Sequence, residues 1–257
     1  MLNTAFKLRH LILACVHHEL RAQYSKSILG TLWMVMNPLY MCIIYTAIFS
    51  SIMDIGGKKF SYVIYAATGL ITWNFFTDII NRSQTIYVNY TNVIRQQNFP
   101  ILCLPIVVMI LSSIDFFISF GIFSVYLLIT HSFPGWCILA SIPVLLIEAF
   151  YAIGLGTILG VLNVFFRDIG KMTTMLLQVW FWLTPIVFLM EKLPQKLQLG
   201  LMFNPLTSIM LAYQSIMVHH QLPKWEVLVY PFLAALITAF LLLRFYAKHS
   251  TDLLDEF

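Results

Sequence analysis

The chain has 257 residues, fifteen of them Lys or Arg and eleven Asp or Glu, with a formal net charge of +4; 60% are hydrophobic and only 10% are charged. Soluble domains carry about a quarter charged residues, so the composition excludes an ordinary water-soluble enzyme and points to an integral membrane protein. Four scattered cysteines, Cys15, Cys42, Cys103 and Cys137, form no CxxC pair and indicate neither a disulfide framework nor a zinc site.

Residues 1–26 come first. On a helix, Lys7, His10, His17, His18 and Arg21 gather on one side, while Ala5, Leu8, Ile12, Cys15, Val16 and Leu20 cover much of the other. This predicts an amphipathic helix in the membrane interface, serving as an anchor or as a docking surface. The apolar run "LILACV" is too short for a signal-peptide core, and "HHELR" follows it in place of a cleavage site.

A bilayer core of about 30 Å needs roughly 20 apolar residues per helix. Stretches nearly free of charge predict six spans, at 27–53, 60–77, 104–130, 137–166, 172–190 and 227–243. The expected fold is therefore an all-α integral membrane protein, one transmembrane domain over 1–257. Its parts are the interface helix (1–26), helices one to five (27–190), an outer hairpin (191–223), and helix six with a tail (224–257). Six spans put both termini on one side. The positive-inside rule makes that side cytoplasmic: Lys7, Arg9, Arg21, Lys26, Arg82, Arg95, Arg167, Lys171, Arg244 and Lys248 lie there, against Lys58, Lys59, Lys192, Lys196 and Lys224 outside.

In span one, Trp33, Met36, Asn37, Tyr40 and Ile44 share a helical face, with Tyr45 and Phe49 turned toward a neighbouring one. Trp33, Trp73 and Trp225 read as interfacial belt residues near span ends. Between spans two and three, residues 82–105 predict a short surface helix broken at Pro100 and Pro105. Asp115 and Glu148 fall inside spans three and four without an evident relay of basic partners, which favours buried structural roles over proton coupling. In span four, Gly156 and Gly160 make a GxxxG step, with Gly154 nearby, that allows close helix approach.

The turn after span four, "FFRDIGK", concentrates Arg167, Asp168 and Lys171 between two apolar stretches. Span five carries "VWFWLTPIVF", where Pro185 is expected to kink the helix. Tyr40, Tyr45, Trp180 and Trp182 lie deeper than a belt explains, and they suit either helix packing or a sliding surface for sugar rings. Residues 191–223 are long and apolar. Breaks at Gly200 and Asn204-Pro205 predict two short pieces that re-enter the outer leaflet, a hairpin suited to an exit gate with Pro194, Asn204 and Pro205 as candidate residues.

The only Gly-Lys pairs, Gly57-Lys58 and Gly170-Lys171, lack the glycine five residues earlier that a phosphate-binding loop requires. GxSxG and HExxH are absent too. No catalytic residue, metal site or cofactor is expected on the chain.

Several stretches in order, "HELRAQYSKSILGTLWMVMNPL", "GLITWNFFTDIINRS", "NVIRQQNFPILCLP", "FFRDIG", "LTPIVF" and "FNPLT", resemble the permease subunits of type-2 ABC exporters, and most closely the Wzm-type O-antigen and polysaccharide permeases. The resemblance implies a homodimer in the bacterial inner membrane with a channel between protomers. It also implies two copies of a cytoplasmic ATPase subunit that hold the ATP and Mg. Arg95, Arg167, Asp168 and Lys171 would then belong to the surfaces that contact the ATPase, together with the N-terminal helix. The cargo would be a lipid-linked polysaccharide, undecaprenyl-diphosphate-linked O-antigen above all. Trp33, Tyr40, Tyr45, Phe49, Trp180 and Trp182 are the channel-lining candidates, and basic residues of the N-terminal helix would assist the diphosphate. Capsule or teichoic-acid export and small-molecule efflux use related permeases. A membrane-embedded glycan-modifying enzyme would need a reactive cluster that the sequence lacks.

Overall fold

The computed structural model describes residues 2–24, 32, 36, 40, 44, 59–91, 100, 101 and 103–256, and among them it contains helices and turns but no strand. The first helix, α1 (Leu2–Tyr24), is amphipathic: Cys15 and Val16 are buried, while His17, His18 and Arg21 are exposed. Four further positions, Leu32, Met36, Tyr40 and Ile44, are helical and exposed at a spacing of four. The expected span 27–53 otherwise lies outside the described residues, as do Trp33, Tyr45, Phe49 and Arg95.

Helix α2 (Lys59–Asn89) is the central element, buried on most sides by its neighbours. It does not stop at Thr77 as expected. Its 31 residues extend about 47 Å at 1.5 Å per residue, because the charges that seemed to end the span are neutralised within it. The Arg82 Nε lies 2.7 Å from Asp78 one turn earlier. Thr68 and Thr72 satisfy their hydroxyls on carbonyls four residues back, at 2.7 and 2.9 Å, so these polar groups do not break the helix either. Trp73 consequently sits in mid-helix and is buried against Phe76 and Phe181, which corrects its reading as a belt residue.

Helix α3 (Cys103–Ile129) contains Pro105 in its first turn, where the missing N–H removes no helical bond, so the expected break there does not occur. A 3-10 turn (Gly135–Ala140) leads into α4 (Ser141–Phe165). Helix α5 (Asp168–Trp182) is shorter than the expected span 172–190: residues 183–189 are irregular, and Pro185 lies beyond the helix end instead of kinking it. Next come α6 (Gln195–Met202) and α7 (Pro205–His219), bent by 104° at Phe203-Asn204. Gly200 lies inside α6, so the break expected at that residue is absent. Helix α8 (Trp225–Glu256) closes the chain.

Helix α4 packs on α2 and on α8 through small residues. A Cβ at Gly156 would stand 2.9 Å from the Ser83 hydroxyl, and one at Gly160 would overlap the Ser83 carbonyl and the Tyr87 ring. Gly154 points the other way, to Thr238 of α8. Among the described residues four helical stretches, Tyr62–Asn89, Cys103–Ile129, Gly135–Phe165 and Trp225–Leu242, are long and apolar enough to cross a membrane, and the bent pair α6–α7 would make a fifth. The chain is a multi-pass membrane protein.

Candidate functional site

Three connected features surround α2: a charged knot at its second half, a turn tied to it by an asparagine, and an irregular segment held over its first half.

The knot gathers on Arg82. Its Nε donates to Asp78, its Nη2 lies 2.5 Å from the Asp115 carboxylate of α3, and its Nη1 reaches the Gln23 side chain of α1 at 3.3 Å. Ser112 of α3 donates to the Asp78 carboxylate at 2.6 Å. One guanidinium therefore joins three helices, and Asp115 has the basic partner that seemed to be missing. The spacing of Asp78 and Arg82, i and i+4, was the available signal. Burial pushes the thiol of Cys15, which α1 packs beside Tyr90, above its ordinary pKa.

The second feature is the turn between α4 and α5. Asn163 near the end of α4 accepts the Gly170 N–H at 2.7 Å and donates to the Gln84 carbonyl of α2 at 3.3 Å. Its amide thus fixes the start of α5 relative to α2. Arg167, Asp168 and Lys171 remain exposed and make no ion pair among the described residues. Asp168 lies in the first turn of α5, where a negative charge suits the helix dipole.

The third feature is residues 183–189. Non-helical backbone at membrane depth survives only when its polar groups find partners, and α2 and α7 supply them. Tyr62 donates to the Val187 carbonyl at 2.5 Å, and Tyr65 donates to those of Pro185 and Phe188 at 3.1 and 2.8 Å. The Gln214 amide of α7 also donates to the Pro185 carbonyl, at 2.8 Å. Gly69 lets the Ile186 backbone approach to where a Cβ would meet it at 3.2 Å. Asn204 completes the set: its Nδ2 donates to the Leu183 carbonyl and the Thr184 hydroxyl, and its Oδ1 accepts from the Leu206 N–H as the α7 N-cap and from Trp180 Nε1 at 3.0 Å.

Trp180 and Trp182 of α5 and Asn204 meet at one cavity of about 490 Å³ with Lys196 and Gly200. Trp180 is half-buried, edge-on to Phe76, whereas Trp182 is exposed. Pro194 caps the start of α6 and Pro205 occupies the first turn of α7. A larger cavity of about 650 Å³ lies beyond the irregular segment, with Tyr62, Tyr65, Glu191, Gln214 and Lys224 among its lining. Glu148 is fully buried on α4 beside Tyr213 of α7, away from these openings. Among the described residues no three His, Cys, Asp or Glu side chains converge to hold a metal ion.

Residues 10–218 match the ABC2_membrane family, described as ABC-2 type transporter. The chain belongs to this family. As an ABC-2 chain it is the membrane part of a transporter and not itself a catalyst. It is similar to the O-antigen export system permease protein RfbA of Myxococcus xanthus, 27% identical over 228 residues that cover 88% of this chain and 87% of the relative. Two relatives of the same description from Klebsiella pneumoniae are each 26% identical, one over 81% of this ABC-2 chain and 80% of its own length, the other over 90% and 87%.

Proposed function

We propose that this chain is the permease of an exporter that moves lipid-linked polysaccharide, an O-antigen chain on undecaprenyl diphosphate, from the cytoplasm to the periplasm across the bacterial inner membrane. The observation that carries the reading is near-full-length similarity to three relatives named O-antigen export system permease. In this reading six spans place both termini in the cytoplasm, two chains pair as a homodimer, and each chain engages one ATPase subunit that binds ATP and Mg. The exposed Arg167, Asp168 and Lys171 contact that subunit, together with Arg95 and α1. Asn163 passes motion of the turn to α2, since it bonds both. Trp33, Tyr40, Tyr45, Phe49 and Trp182 line the path between protomers, with Trp180 bracing it. The α6–α7 pair dips into the outer leaflet as an exit gate, hinged at Asn204-Pro205 and entered at Pro194.

Deleting the gene and fractionating the glycan of intact spheroplasts tests the proposal. Full-length chains retained on the cytoplasmic side, restored to the surface by a plasmid copy, are the expected result; unaltered surface glycan would refute it.

A further inference from the structure

Exposure divides the spanning helices into two kinds. On α3 the exposed positions are Ile106, Phe117, Gly121, Val125, Leu128 and Ile129, and on α4 they are Ile142, Leu146 and Phe150. Such surfaces suit hydrocarbon. On α2, from Tyr62 to Asn89, the exposed positions are Asn74, Asn81, Thr85 and Asn89, and no apolar residue joins them. Their spacing keeps them within about 80° of one another around the helix. Helix α5 exposes mostly apolar residues, Met172, Met175, Leu176 and Val179 among them, but beside Asn81 it places Thr174 and Gln178, exposed and one turn apart.

The two helices enclose a groove of about 390 Å³, lined by the polar Thr77, Asn81, Thr174 and Gln178 and by Trp73, Leu177, Phe181 and Trp182, and no charged side chain lines it. The hydroxyls of Thr77 and Thr174 donate to the carbonyls of Trp73 and Gly170, both at 3.0 Å, which leaves their lone pairs facing the groove. The amides of Asn74, Asn81 and Gln178 have no partner among the described residues. An unpaired amide is strongly unfavourable against lipid, so this face meets water, a polar cargo or another helix.

The chemistry favours a cargo. A side-chain amide both donates and accepts, and a hydroxyl does the same, so a file of them can pair with sugar hydroxyls in any orientation. Among the lining residues the exposed Trp182 indole offers a flat apolar surface to the ring face of a pyranose, while Trp73 is packed into the wall behind it. The absence of charge suits neutral sugars and leaves the carrier diphosphate to be held elsewhere. Individually weak contacts also let a chain advance, because binding along a conduit must not be too tight.

We infer that the groove of Asn81, Gln178, Thr77 and Thr174, flanked by Trp73 and Trp182, is a hydrogen-bonding track for the hydroxyls of a neutral polysaccharide. The inference rests on the export reading and adds which part of the cargo this face handles.

The test uses the full permease with its ATPase in proteoliposomes and an undecaprenyl-diphosphate-linked polymer of neutral hexoses. Translocation is read by susceptibility to an added glycosidase, and pairing of the permeases by cross-linking. Asn81→Leu and Gln178→Leu are each expected to slow translocation about tenfold, the loss of one buried hydrogen bond, with the dimer retained. Asn81→Gln is expected to keep most of the rate. Full-speed translocation by both Leu variants would overturn the track, and so would loss of the dimer with an unchanged rate per remaining dimer, which would make the stripe a contact between helices. If the unsubstituted complex moves no polymer, the export reading itself fails and the track falls with it.

Discussion

The Arg82 guanidinium of α2 lies 2.5 Å from the Asp115 carboxylate of α3, and the same side chain holds Asp78 one turn away at 2.7 Å. Two acids and one cation at partial burial form a unit in which removing the cation leaves two like charges facing each other with reduced solvation. Arg82→Ala is expected to destabilise the protein by about 2–4 kcal/mol, read as a drop in thermal unfolding temperature in detergent. Arg82→Ala combined with Asp78→Asn and Asp115→Asn should recover part of that loss, because the uncompensated charges are gone.

Close packing of α4 on α2 depends on the absence of a side chain at Gly160. Gly160→Ala is expected to cost about 1–3 kcal/mol, since its Cβ meets the Ser83 carbonyl and the Tyr87 ring. Gly121→Ala on α3, where a Cβ would meet nothing within 4 Å, is the matched control and should leave unfolding unchanged or slightly improved.

Asn204 has four partners at the break between α6 and α7. Asn204→Ala removes the α7 cap and frees both Trp180 and the Leu183 carbonyl. The expected cost is about 2–3 kcal/mol, the sum of a cap and one buried bond. Trp180→Phe removes one of these bonds and part of the ring packed on Phe76, and should cost about 1–2 kcal/mol. Limited proteolysis at residues 183–204 distinguishes the two variants, with earlier cleavage in Asn204→Ala.

Arg167 and Asp168 separate coupling from folding. Both are exposed, so Arg167→Ala with Asp168→Ala should shift stability by less than about 1 kcal/mol. Surface glycan in cells should nevertheless fall sharply if these side chains transmit the ATPase stroke. Normal glycan in cells carrying the double variant would remove that role.

Orientation can be read from Cys137, which is partly exposed and bonds the His220 carbonyl at 3.2 Å. A variant retaining only this cysteine should react with a membrane-impermeant maleimide on intact spheroplasts. Reaction only after lysis would place the 3-10 turn, and hence the termini, on the opposite sides.

Much of this architecture is legible in the sequence because a bilayer imposes length and hydropathy on whole segments. The helices over 104–130 and 137–166 appear within a few residues of their expected bounds, and the amphipathic α1 follows from the sorting of Cys15 and Val16 away from His17 and Arg21. What the sequence hides is pairing. Asp78 and Arg82 look like the end of a span until each is seen to neutralise the other, and Asp115 looks isolated because its partner is 33 residues away. Span five is misjudged for a related reason: composition registers that 183–189 is apolar, but cannot register that Tyr62, Tyr65, Asn204 and Gln214 supply the bonds that let it leave the helix. The polar stripe on α2 is invisible for the opposite cause, since Asn74, Asn81 and Thr85 become distinctive only once the rest of that helix is known to be buried.

The most direct measurement is ATP-driven movement of lipid-linked polysaccharide by the purified permease and its ATPase in proteoliposomes. The account predicts that polymer added on the ATPase side becomes accessible on the other side only with ATP, and that the Arg167→Ala, Asp168→Ala double variant abolishes this movement. ATP hydrolysis with no polymer crossing, under conditions where a smaller lipid crosses, would contradict it.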